Sequence, residues 1–449
     1  MSPTRQLFRL TPPQILVLGF ATVILIGAVL LSLPIATEGV AALSFTDALF
    51  TATSAVCVTG LVVVDTATTF STFGEVVIMI LIQVGGLGFM GFATFFALLL
   101  GKRVGMRERL ILTEAYNQNR LGGVVQLVKY MVIIFALFEG IGFLILAARW
   151  VPEFGLKGLY YALFHSISAF NNAGFDLMGD QFGPFSSMTA FVGDPIVSLT
   201  LASLFIIGGI GFVVLVELFQ YRYARRFSLH TKLVFVTTLC LTVVGVGGIL
   251  VIEWGNADTL GALGFGDAAM AAFFQGVTPR TAGFNTLDLA AMYPATQFLI
   301  ILLMFIGASP SSTGGGIKTT TFVAILLAVW GMVRGHDDVV TFRRRIPHGQ
   351  IYKALTVSVA SMALVTIMTM LLTITESSDV FHVFFETVSA FGTVGLSLGV
   401  TPELSETGKF LVIFTMFAGR LGPMTIAFAV AKRMVKPPYR HPEERPLIG

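Results

Sequence analysis

The chain has 449 residues, of which 55% are hydrophobic and only 12% charged, with a formal net charge of +3. Soluble domains carry about 25% charged residues, so this composition, with a mean hydropathy of +0.85, excludes a soluble domain and places the chain in a bilayer. The net charge itself says little, because the basic residues are unevenly placed; no nucleic-acid partner is expected. Cys57 and Cys240 sit in separate parts of the chain and the six histidines show no metal-ligand spacing; no disulfide framework, bound metal cluster or covalent cofactor is expected.

In chain order, eight apolar runs are long enough to cross the hydrocarbon core, which takes roughly 20 residues. They lie near 13–33, 74–100, 128–149, 194–219, 231–252, 296–333, 352–374 and 408–431. The first follows Arg5 and Arg9 with no small-residue cleavage site behind it, and reads as a retained span. Between the members of each pair lies a segment of about ten residues, long enough for a helix through about half a bilayer (~15 Å). The four segments share a pattern: FTATSAVCVTGL from Phe50, FHSISAFNNAGF from Phe164, FFQGVTPRTAGF from Phe273 and FETVSAFGTVGL from Phe385. Each reaches a glycine ten residues after its aromatic. Gly60, Gly174, Gly283 and Gly395 are separated by 114, 109 and 112 residues.

The expected fold is therefore an all-α membrane protein of four pseudo-repeated helix–pore-loop–helix units around one central ion pathway. The units are 1–110, 111–225, 226–345 (with a broken inner helix) and 346–449, the last ending in a short basic, proline-rich tail. Of 28 Lys and Arg residues, 22 fall on one side: Arg5 and Arg9, Lys102 to Lys129, Arg222 to Lys232, Arg334 to Lys353, and Lys432 to Arg445. The positive-inside rule then places both termini in the cytoplasm and the glycine loops in the outer half of the membrane.

A single such glycine would be an ordinary helix cap; four at matched positions point to a shared geometry. The side chains before the glycines differ, so the shared chemistry is the backbone. Glycine permits positive φ, which can help aim carbonyls at one axis and replace an ion's hydration shell. Inward C-termini of the short helices add a negative potential that favours a cation. Asp65, Asp176 and Asp288 follow three of the loops and would form an acidic outer vestibule.

The loops TSAVCVTGL, SAFNNAGF, TPRTAGF and SAFGTVGL resemble the four filter loops of the Trk/Ktr/HKT superfamily of potassium transporters, and the resemblance covers nearly the whole chain. Because the first repeat begins at the first span, it is closest to the KtrB-type membrane subunit of bacterial Ktr systems. The resemblance implies a potassium filter of Val58, Thr59, Gly60, Asn172, Ala173, Gly174, Thr281, Ala282, Gly283, Thr393, Val394 and Gly395, with K+ held by backbone carbonyls. It implies potassium uptake across a bacterial plasma membrane, by a homodimer on a cytoplasmic ring of nucleotide-binding KtrA-type subunits. It leaves Na+ open as an activator or co-ion. The basic segments 101–123, 220–232 and 334–350 would be the docking surface for the ring or, on their residues alone, a rim against membrane lipids.

The inner runs carry a second repeat, Gly85-Gly86-Leu87-Gly88, Gly208-Gly209-Ile210-Gly211 and Gly419-Arg420-Leu421-Gly422. Gly86 to Gly91 matches GxGxxG, but no strand precedes it, and close helix packing through small residues is the better reading. In the third run Gly307 is followed by Ala308, Ser309, Pro310, Ser311, Ser312, Thr313, Gly314, Gly315 and Gly316, which cannot continue a helix. This break is the expected gate, with Lys318 and Arg420 beside it. Arg420 replaces a repeated glycine inside the membrane, where a charge is functional by default. The matching arginine of the family contacts the gating loop. Lys318 reads equally well as a second tether or as a side chain snorkelling to the basic side. Arg280, in the third loop, is expected to point away from the pathway and brace backbone carbonyls or a nearby acid.

Two other functions compete. A secondary transporter of a larger solute would need inverted repeats and a midplane pocket, whereas these repeats run parallel. An intramembrane hydrolase using Ser309, Ser311 or Ser312 would need a base within reach, and none is evident in the adjacent spans.

Overall fold

The computed structural model describes residues 10–38, 43–100, 104–115, 123–430 and 444. Arg5, Arg9, Lys102, Arg103, Arg120 and the basic tail residues Lys432, Arg433, Lys436, Arg440 and Arg445 lie outside them, so part of the orientation argument does too.

Sixteen principal helices fall into four matching sets of four. The outer helices are α1 (Pro12–Leu31), α5 (Val124–Phe154), α9 (Leu229–Glu253) and α13 (His348–Thr375). Each is followed by a half-helix: α2 (Phe45–Cys57), α6 (Leu156–Phe170), α10 (Phe265–Val277) and α14 (Val380–Gly392). At 13 to 15 residues these exceed the expected ten, reaching roughly 20 Å. The inner runs are the helix pairs α3 (Thr72–Leu87) with α4 (Phe89–Leu99), α7 (Pro195–Ile210) with α8 (Phe212–Ala224), α11 (Pro294–Phe305) with α12 (Thr319–Val333), and α15 (Glu406–Leu421) with α16 (Pro423–Val430).

Local chemistry sets these boundaries. α1 opens with prolines at its first positions behind a Thr11–Gln14 capping box. Ser71, Asp194, Ser228 and Ser405 cap α3, α7, α9 and α15. In the last two repeats an acid at the end of the outer helix also holds the start of the inner one. Glu253 accepts from the Tyr293 N–H at 2.9 Å, and Glu376 from the Ser405 N–H at 3.0 Å. Repeat two reverses the charge: Arg149 of α5 donates to Asp194 at 2.6 Å.

The inner runs depart from the expectation. Only the third was expected to break, yet the other three bend by 95°, 97° and 95° at Gly88, Gly211 and Gly422, whose φ values are 70°, 103° and 82°. A positive φ ends the right-handed helix, and glycine reaches it without a Cβ penalty. The other glycines of the motif do serve close packing. Gly85, Gly208 and Gly419 each lie against the carbonyl four residues before their own loop glycine, on Val56, Phe170 and Phe391, where a Cβ would overlap the oxygen.

The four units close on themselves. The upper inner helix of each packs on the half-helix of the next: α3 on α6, α7 on α10, α11 on α14 and α15 on α2. Buried phenylalanines, among them Phe50, Phe164, Phe274 and Phe385, fill the interior. The outer helices turn Leu25, Ile26, Leu144, Leu239, Val251, Met362 and Ile374 outward. Among the described residues four helices are long and apolar enough to cross a membrane, or seven if each bent pair counts as one span. Exposed apolar surface of that extent is a liability in water and a match for lipid.

Candidate ion pathway

Helices α2, α6 and α14 end in the same way. Val58 and Thr59 donate back to Ala55 and Ser54, Asn172 and Ala173 to Ala169 and Ser168, and Thr393 and Val394 to Ala390 and Ser389, all at 2.8 to 3.2 Å. The residue two before each glycine is left-handed in all four repeats: Val58 (φ 57°), Asn172 (60°), Thr281 (79°) and Thr393 (50°). So are the glycines, Gly60 (92°), Gly174 (70°), Gly283 (81°) and Gly395 (93°). A backbone that changes hand at alternate residues does not send its carbonyls to opposite sides, as a strand does. Valine and threonine are rare in this region, and their recurrence here shows a conformation imposed by the surroundings.

Each loop lies against the next. A Cβ on Gly60 would sit 2.5 Å from the Ala173 carbonyl oxygen, one on Gly174 2.9 Å from that of Ala282, and one on Gly283 2.5 Å from that of Val394. On Gly395 it would overlap the Thr59 oxygen. The contacts run in chain order and return to the first repeat, so the four glycines and the four preceding carbonyls form one closed ring. All eight residues at the two positions before the glycines are completely buried.

Below the ring lies the 306–318 loop between α11 and α12. It makes good the bonds that the bend at Gly211 breaks. The Thr313 N–H donates to Gly208 O (3.4 Å), the Ser309 N–H to Gly209 O (3.0 Å), and the Phe212 N–H to Ser311 O (2.8 Å). An irregular backbone at membrane depth needs such partners. Three successive loop carbonyls are held by two cations. Arg420 donates to Thr313 O and also to Gly85 O of the first inner helix. Lys318 Nζ donates to Gly314 O at 2.6 Å and to Gly315 O at 3.3 Å. Lys318 therefore folds back into the loop rather than snorkelling. Ala308 O accepts from the Thr319 N–H (3.4 Å), Ile306 pairs with Ile317, and Gly316 takes a φ of 66°. Pro310 O lies so close to Gly211 that a Cβ there would stand at 2.5 Å.

Residues 14–440 match the TrkH family, described as a cation transport protein. The chain is 50% identical over 425 residues to the Ktr system potassium uptake protein B of Bacillus subtilis, covering 94% of each chain. It is 37% identical to the potassium/sodium uptake protein NtpJ of Enterococcus hirae, covering 98% of each. The crystal structure of the potassium transporter TrkH from Vibrio parahaemolyticus shares its fold, with a TM-score of 0.72 at 19% identity over 96% of this chain and 87% of that one. The chain belongs to the TrkH family.

That family consists of transporters and not enzymes, which removes the hydrolase reading. Ser309 Oγ pairs with Thr319 Oγ1 at 2.9 Å and Ser312 Oγ donates to Ser309 O at 2.6 Å; neither partner is a base. In this TrkH-family chain a cavity beside the loop, between Phe205, Arg280, Ala308 and Ser309, measures about 10 Å³, room for about one water molecule. Arg280 points away from the ring, as expected, toward Thr238 O at 3.5 Å. The acidic vestibule is only partly present. Asp65 is buried and occupied by the Thr68 and Phe185 N–H groups at 2.9 and 2.8 Å, while Asp288 is exposed.

Sequence reasoning missed two sets of braces. One is a hydroxyl near the end of every half-helix. Ser54 and Ser389 accept from the N–H of Gly60 (3.0 Å) and Gly395 (3.2 Å), whereas Ser168 and Thr278 donate to the carbonyls of Phe175 (2.7 Å) and Phe284 (2.6 Å). The signal was present: a Ser or Thr stands five or six residues before each glycine. The other is Glu139 of α5, whose carboxylate accepts from Gln83 (2.8 Å) and Asn171 (3.0 Å), with Asn171 also donating to Gln83 at 2.7 Å. It joins the first inner helix to the second loop, and its signal was also present: an acid in the middle of the 128–149 apolar run. Glu139→Gln keeps an acceptor and should leave thermal stability in detergent within about 1 kcal/mol. Glu139→Leu leaves the part-buried Gln83 amide N–H without its partner, whereas Asn171 keeps Gln83 and the Ile167 carbonyl; it should cost roughly 1–3 kcal/mol, read as a lower melting temperature.

Proposed function

We propose that the chain is the ion-translocating subunit of a Ktr-type potassium uptake system. The closed ring of glycines and carbonyls is the observation that carries this reading. Val58, Thr59, Gly60, Asn172, Ala173, Gly174, Thr281, Ala282, Gly283, Thr393, Val394 and Gly395 form the filter, and K+ crosses it on backbone oxygens in place of hydration water. The half-helix C-termini add their negative dipole ends at the same point. The 306–318 loop with Lys318 and Arg420 is the gate. It covers the inner side of the ring, and its two cations repel an incoming ion in a medium of low dielectric. The names of the relatives support K+ as the transported ion, and that of the Enterococcus relative supports Na+ as an activator or co-ion.

By the same reading the subunit sits in the plasma membrane with both termini in the cytoplasm. It works as a homodimer with a nucleotide-binding regulatory ring on the basic face. A system with a protein B implies further components, which supports a partner.

Two experiments on protein reconstituted in liposomes test the two halves of the reading. Gly60→Ser places a Cβ against the Ala173 carbonyl at a φ of 92°. It should shift the reversal potential in mixed K+ and Na+ toward sodium by about tenfold in permeability ratio, or about 1.4 kcal/mol; an unchanged ratio at equal protein would remove Gly60 from the filter. Arg420→Ala should raise K+ flux with little change in that ratio. Arg420→Lys separates the causes, because it keeps the charge and loses the planar fork. Flux like that of Ala means tethering dominates, and flux like that of the parent means charge does. If neither variant raises flux, Arg420 has no part in the gate.

A further inference from the structure

Three of the four left-handed residues two before the glycines carry their side chains on the 306–318 loop. These three are polar, and each meets the loop in its own way. Thr393 Oγ1 accepts from the Gly315 N–H at 2.8 Å. Thr281 Oγ1 lies so close to Gly314 that a Cβ there would overlap it. Asn172 does most. Its Nδ2 donates to Thr281 Oγ1 at 3.1 Å, and its Oδ1 accepts from Thr313 Oγ1 at 3.1 Å. Val58, the apolar fourth, packs toward Gly85, the residue whose carbonyl Arg420 holds.

We propose that Asn172 is a positioning residue that latches the 306–318 loop to the second and third glycine loops, so that loop opening and filter conformation are coupled. The inference rests on the gate reading above and adds to it a filter-side partner.

Asparagine suits both duties. A short polar side chain tolerates the left-handed region, and the amide has a donor and an acceptor on one rigid plane. Asn172, Thr281 and Thr313 are completely buried, so water does not replace a bond that is broken. Asn172 also has nowhere else to go. Its Oδ1 lies on Gly208, where a Cβ would stand at 2.7 Å, and its Nδ2 is 3.5 Å from the same atom built on Gly209. The two glycines of the second inner helix thus form the back wall of the latch. Their carbonyls receive the Thr313 and Ser309 N–H groups. Thr313 is consequently held on all sides: N–H by Gly208, carbonyl by Arg420, hydroxyl by Asn172. When the loop leaves, Asn172 loses one of its two partners, and the Thr281 hydroxyl loses the surface it rests on.

The test is K+ flux and K+/Na+ permeability ratio of the full chain in liposomes, for Thr313→Val, Asn172→Ala, the double variant and a chain lacking residues 311–315. Thr313→Val removes one hydroxyl at constant shape, and should raise flux about 2- to 13-fold, the range for one buried neutral hydrogen bond, with the permeability ratio unchanged. Asn172→Ala should raise flux comparably and also shift the ratio, because Thr281 loses its brace. The double variant should exceed the larger single effect by less than twofold, since both variants break the same bond. Multiplicative effects, or no rise with Thr313→Val, would overturn the latch; Thr313→Val decides this even if Asn172→Ala does not fold. If the deletion leaves flux at the parental level, the gate reading itself fails. If the deletion raises flux and Thr313→Val does not, only the latch fails.

Discussion

The structure depends on the contact between each loop glycine and the carbonyl of the next loop. Four loops meet where even one methyl group per loop would not fit. That closeness requires glycine at Gly60, Gly174, Gly283 and Gly395, and it requires the left-handed turn two residues earlier that brings each glycine to the axis. The cost of four non-glycine residues in that region, of order 1–3 kcal/mol each, is met by the layers behind them. Half-helix hydroxyls fix the backbone at the glycine N–H in repeats one and four and at the carbonyl of the residue after the glycine in repeats two and three. Gly85, Gly208 and Gly419 let the inner helices press directly on the half-helix carbonyls. Each inner helix then supports the half-helix of the following repeat, so the ring of loops sits inside a ring of helices with the same order.

The inner helices carry the second constraint. Bending a helix frees backbone groups, and at membrane depth these need partners. The freed groups at the Gly211 bend find theirs in the 306–318 loop, and that loop's own carbonyls find theirs in Arg420 and Lys318. The bend in one repeat and the break in another therefore complete each other. A segment bound by hydrogen bonds and two cations, with few apolar side chains of its own, has the composition of an element that can open locally.

The sequence made the repeat legible because four aromatic-to-glycine segments recur at nearly constant spacing, and all eight apolar runs correspond to helices or helix pairs in the structure. The third inner break was legible because proline and three successive glycines allow no other reading. The bends at Gly88, Gly211 and Gly422 were not, since a Gly-Gly-x-Gly motif suits close packing and hinging alike; here Gly85 and Gly208 pack while Gly88 and Gly211 turn. Lys318 was ambiguous because its loop-facing direction depends on carbonyls that only the folded loop presents. Asp65 belongs by sequence to the acidic vestibule, yet one of its two backbone partners, the Phe185 N–H, lies 120 residues away. Glu139 stood out as an acid inside an apolar run, but its partners did not, because its meeting with Gln83 and Asn171 joins three helices from two repeats.

The central claim is that the ring of Thr59, Ala173, Ala282 and Val394 carbonyls holds the permeating ion. The most direct measurement is anomalous diffraction from crystals of the protein grown in Rb+ or Tl+, heavy substitutes for K+. The account predicts a peak on the axis of the ring, within bonding distance of these carbonyls, that weakens when Na+ replaces the heavy ion. Density that lies off this axis, or an axis without a peak at saturating Rb+, would contradict it.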